Sequence, residues 1–150
     1  MQNECIPYYE GPYTQTQTVH AGYAVTGKTF VGPITSYQGQ GPGLSADPLP
    51  AGDGGNQQVP AAPVAGGQVA GVAAWDAASG SKLTIIRGTH TQLPVTSGAA
   101  VNAGDLLKVD TQGRVLLATT GTFIVGKAHS TVGAAGADVI VELYDGMTLA

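Results

Sequence analysis

Charged side chains are scarce in this sequence. Six Lys and Arg stand against ten Asp and Glu in 150 residues, for a formal net charge of -4. The few cations form no cluster, so the chain lacks what phosphate backbones and anionic lipids require, and neither nucleic acid nor membrane is expected as a partner. Cysteine is nearly absent too. Cys5 stands alone, which excludes an intrachain disulfide and a thiolate zinc site. No run approaches the ~18 uninterrupted apolar residues of a membrane helix. The start, Met1-Gln2-Asn3-Glu4-Cys5-Ile6-Pro7, has neither a basic nor an apolar leader-like region, and synthesis in the cytosol is the expectation. With so little charge, a 43% hydrophobic chain suits a protein whose surface is largely covered by partners.

Glycine and proline are plentiful, at 23 and 9 residues, and they cut the chain into short pieces. The length suits one core. Residues 1–20 are rich in Tyr, Gln and Thr, with no apolar periodicity before Val19. They read as an extended N-terminal arm ending in an edge strand, with little of its own to bury. Residues 21–150 read as the β domain, interrupted at 39–67 by a Gly/Pro-rich loop. Six runs have strand length and β-branched or Leu-rich content: 69–75, 82–87, 105–109, 114–118, 122–128 and 138–143. The expected fold class is therefore mainly β, a small β-barrel or β-sandwich. The clearest hairpin joins 105–109 to 114–118, because Asp110-Thr111-Gln112-Gly113 puts Asp at the turn entry and Gly where positive φ is needed.

An internal repeat is visible. Gly22-Tyr23-Ala24-Val25 pairs with Gly98-Ala99-Ala100-Val101, and 69–73 pairs with 124–128. The interval from Gly71 to Ile85 equals that from Gly126 to Ile140, whereas the first block is longer between Val25 and Gly71 than the second between Val101 and Gly126. The excess coincides with the Gly/Pro-rich stretch, which predicts two related β units with an insertion in the first.

Gly22-Tyr23-Ala24-Val25-Thr26-Gly27-Lys28-Thr29 matches the phosphate-loop string, but Phe30-Val31-Gly32-Pro33 cannot supply the helix that gathers phosphates. A strand with an exposed Lys28 is expected instead. His20, His90 and His129 have no metal-ligand spacing and read as surface or turn residues. Ser79, His129 and Asp138 make a triad only on paper, since no nucleophile elbow is present. Neither catalysis, a cofactor, a metal nor a small-molecule substrate is expected. Trp75 and Tyr144 fall in apolar runs and are expected in the core, while Tyr8, Tyr9 and Tyr13, with Thr14, Thr16 and Thr18, are expected to bind a partner.

The C-terminal half runs Val101-Asn102-Ala103-Gly104-Asp105-Leu106-Leu107, a turn at Gly113, Val125-Gly126-Lys127-Ala128, then Gly136-Ala137-Asp138-Val139-Ile140-Val141-Glu142-Leu143. This order resembles the lambda-type capsid cement (head decoration) proteins of tailed bacteriophages. The resemblance implies a compact β-tulip-like domain, often a homotrimer, on the outer capsid surface where major capsid protein subunits meet, with an N-terminal arm that pairs with capsid strands. The long insertion departs from that family. The 105–118 hairpin is also similar to those of lipoyl and biotinyl carrier domains, yet its tip, Thr111-Gln112, has no Lys to modify. A phage tail or baseplate β module is the other alternative.

Overall fold

The structure, a computed structural model, describes residues 4–10, 13–38 and 57–150. Among these there are eleven strands and no helix: β1 (Gln15–His20), β2 (Phe30–Val31), β3 (Ile34–Gln38), β4 (Gln57–Pro60), β5 (Gly71–Ala73), β6 (Lys82–Arg87), β7 (Gln92–Thr96), β8 (Leu106–Val109), β9 (Val115–Leu117), β10 (Phe123–Ala128) and β11 (Asp138–Thr148). One sheet has the order β1-β6-β5-β2, a second β7-β11-β10-β8-β9, and β3-β4 form a two-stranded ribbon. All pairings between strands are antiparallel. The two open sheets make a sandwich rather than a closed barrel.

The repeat is explicit in the strand pairing. Phe30 and Val31 face Val72 and Gly71 across β2 and β5, as Leu106 and Leu107 face Lys127 and Gly126 across β8 and β10. Val72↔Ile86 and Ala73↔Ile85 return as Lys127↔Glu142 and Ala128↔Val141. Val19↔Leu83 returns as Val95↔Val139, and the lone bridge Val25↔Ala77 as Val101↔Val132. Ile85 thus corresponds to Val141, not Ile140. The turn before β11 is one residue longer than its counterpart before β6, a slip that equal spacing conceals.

Period-2 alternation decides what each strand buries. In the first sheet both faces are covered: Phe30, Val72 and Ile86 join the core shared with Leu93, Val95, Leu107, Val125 and Val141 of the second, while Val31, Ala73, Leu83 and Ile85 pack with Val19 and Val25 on the opposite face. Trp75, partly buried, touches both clusters, so it spans the two cores. Full burial of a Leu83-sized side chain contributes about 1.5–3 kcal/mol.

Three expectations are corrected. β1 is an edge strand, but it ladders onto β6 along its whole length and buries Val19, so it belongs to the domain's own sheet. Cys5 is buried as well, donates to the Pro94 carbonyl at 3.5 Å, and its amide bonds Ala74 O at 2.8 Å, which ties the segment down at its start. Of the loop 39–67, residues 39–56 lie outside the described residues, and 57–60 form β4 against β3. β7 arises where the sequence showed only Pro94. It is the edge of its sheet, where a missing N–H costs no ladder bond.

Candidate partner-docking surface

The segment leading into β1 crosses the edge of β7. Tyr8 and Tyr9 donate their amides to Gln92 O at 2.7 and 3.2 Å, Gln92 N–H returns to Tyr9 O at 3.0 Å, and Thr14 Oγ1 lies 2.6 Å from Thr91 Oγ1. The backbone is thus occupied while the aromatic side chains are not. Tyr8, Tyr9 and Tyr13 are 69%, 54% and 65% exposed, and Ile6 stands out beside them. Thr16 and Thr18 are exposed along β1 and Thr14 is half-buried. Apart from half-buried Thr14, the sequence-expected binding residues are therefore exposed, and the backbone of Tyr8 and Tyr9 is fixed on β7. Aromatics left in water on an anchored segment suit partner contact, since they bring large apolar area at low entropic cost.

Next to this strip lies a half-open groove of about 490 Å³ bordered by Tyr13, Phe30, Gly71, Arg87, Gly88 and Tyr144. Tyr144, expected in the core, instead lines this groove. No sequence signal pointed to it, because its walls come from β1, β2, β5, β6, β10 and β11 and the segments beside them.

Glu142 collects two of the three histidines. His90 Nδ1 is 2.6 Å from its Oε1 and His129 Nε2 is 2.5 Å from its Oε2. The His90 hydrogen bond, reinforced by that of His129, holds the Glu142 carboxyl below the usual carboxylate range against the opposing effect of burial. His20 is buried rather than superficial. Among the described residues no group of three or more His, Cys, Asp or Glu is placed to hold a metal ion. Ser79, His129 and Asp138 do not meet: Ser79 bonds Gly22 O, His129 bonds Glu142, and Asp138 accepts from Lys28.

The phosphate-loop string is a turn. Thr29 Oγ1 bonds back to Thr26 O, as Asn102 N–H bonds Asp105 in the second unit. Gly27 N–H is taken by the Asp76 carboxylate at 2.8 Å, and β2 follows where a helix would be needed. Lys28 is not an exposed strand residue. It sits at φ 61°, where its counterpart Gly104 has φ 95°, and its Nζ lies 2.7 Å from Asp138 Oδ2, a hydrogen bond that raises the Lys28 pKa. Burial alone pushes Tyr23 up to about 12, and its hydroxyl is enclosed with no partner among the described residues.

Residues 9–143 match the family model for phage cement proteins. Among curated proteins none matches the sequence. Among solved structures the chain is similar to the N base of head fiber gp8.5 of bacteriophage phi29, with a TM-score of 0.62 at 14% identity over 87% of this chain and 94% of that one. At that identity the likeness concerns the fold.

Proposed function

The chain belongs to the phage cement protein family, a structural component of the bacteriophage capsid, and from that premise we propose that it decorates the outer capsid surface and stabilises contacts between major capsid protein subunits. It does so as a homotrimer, without catalysis. The observation that carries this reading is the exposure of Tyr8, Tyr9 and Tyr13, with the backbone of Tyr8 and Tyr9 already bonded to Gln92 of β7. An aromatic strip held in place before binding loses little entropy on docking. Three such strips on a trimer make the second and third engagements effectively intramolecular, so weak single contacts add to tight attachment. Thr16 and Thr18 extend the strip along β1, which has β6 on one side and no ladder partner on the other among the described residues.

The test is co-sedimentation with capsids assembled without this protein. The variant carrying Tyr8→Ser, Tyr9→Ser and Tyr13→Ser should unfold at the wild-type temperature yet bind at least about tenfold more weakly, because buried interface aromatics each contribute about 1–2 kcal/mol or more. Undiminished binding of the variant would refute the strip as the contact surface.

A further inference from the structure

The groove beside Tyr13 lies where the two units meet, and they contribute equivalent positions to it. Extending the strand registers, Tyr13 corresponds to Thr89, Ala70 to Val125, Arg87 to Leu143 and Gly88 to Tyr144, and all eight line the groove. In the core the units agree: Val19 with Val95, Val31 with Leu107, Ala73 with Ala128, Leu83 with Val139 and Ile85 with Val141, every one of them buried. At the groove they diverge. One unit presents a guanidinium and a bare glycine where the other presents Leu143 and Tyr144.

Arg87 is exposed and its side chain makes no hydrogen bond or ion pair among the described residues, whereas the Lys28 and Arg114 side chains are held by Asp138 and Asp110. A guanidinium offers a planar fork of donors that fits a carboxylate. Gly88, half-buried, leaves the groove wall without a side chain at its position, while Gly71 lets β5 pack closely on β6, since a Cβ there would stand only 2.7 Å from Ile86 O. Tyr13 and Tyr144 add aromatic surface.

We infer that this groove receives an acidic segment of the capsid partner, with one carboxylate on Arg87 and flanking apolar side chains on Tyr13 and Tyr144. The inference rests on the capsid-binding reading and names the chemistry that the partner brings. Charge complementarity fixes the sign: the partner must be acidic, although this chain is itself net negative.

Two measurements test it. The full chain is titrated with acetyl-Thr-Val-Glu-Val-Thr-amide and with its Gln counterpart, following the Arg87 side-chain and Gly71 and Gly88 backbone NMR signals. The Glu peptide should shift them, the Gln peptide should not, and Arg87→Gln should abolish the response. Equal responses to both peptides, or none, would overturn the inference. In capsid co-sedimentation Arg87→Gln should bind about tenfold more weakly or worse, with Arg87→Lys partly restoring binding, since a hydrogen bond between charged groups commonly carries such a factor. Wild-type binding by Arg87→Gln, or a change in self-association showing that a second copy fills the groove, would also overturn it. Failure of the wild-type chain to bind capsids, with the Glu-selective response intact, would instead count against the capsid reading and leave the carboxylate site standing.

Discussion

Lys28 shows how one residue can hold two opposed terms. Its left-handed backbone costs a non-glycine residue about 1 kcal/mol, and the ion pair with Asp138, partly open to water, returns up to about 1 kcal/mol. Lys28→Gly removes both and should leave stability nearly unchanged. Lys28→Ala keeps the strain and loses the pair, so it should be about 1 kcal/mol less stable than Lys28→Gly by denaturant unfolding. Glu142 carries a pH dependence instead. Its pKa is lower folded than unfolded, so its contribution is present above the ordinary carboxylate value and is lost as pH falls through the lowered one. Glu142→Gln should cost about 1 kcal/mol near pH 6, and the gap between variant and wild type should close below about pH 4. A gap that stays constant to pH 3 would mean that the carboxylate's charge contributes nothing there. Neither residue's role was legible in the sequence, because His90, His129 and Glu142 lie far apart along the chain, as do Lys28 and Asp138.

Among the elements, each of the six runs read from sequence contains a strand, and the Asp110–Gly113 turn forms as its chemistry requires. Asp110 Oδ1 accepts from Gln112 and Arg114 amides, and Gly113 has φ 77°. β2 is too short to show a pattern, and β4 lies within a breaker-rich stretch whose pairing with β3 no local signal reveals. The N-terminal segment is where sequence and structure part most: composition shows no apolar face, yet a single Cys5 and Val19 pin its two ends. Cys5 gives a direct measurement. Burial pushes its thiol up to about 12, and only thiolate reacts, so labelling by a disulfide reagent should proceed only through opening of the segment and run orders of magnitude slower than in the unfolded chain. Labelling at the unfolded rate would mean a free arm. By the same logic a chain starting at Val19 loses most of β1, leaves β6 unpaired on one side and should lose cooperative stability.

For the whole molecule, duplication followed by divergence at one junction accounts for both the sandwich and its asymmetry. Matching buried residues preserve the two cores, and the differing residues at the groove and along the N-terminal strip are where recognition is proposed. The duplication was legible because the short blocks at 22–25 and 69–73 return at 98–101 and 124–128, although the equal interval to Ile85 and Ile140 pairs the wrong residues; the groove was not, since it exists only once the units pack. The account's central claim is attachment to the outside of the capsid, and electron cryo-microscopy of intact virions tests it most directly. The account predicts density for this fold on the exterior, in threefold clusters at junctions between major capsid protein subunits, with the Tyr8–Tyr13 strip facing the shell. Density confined to the tail or baseplate, or on the inner face of the shell, would contradict it.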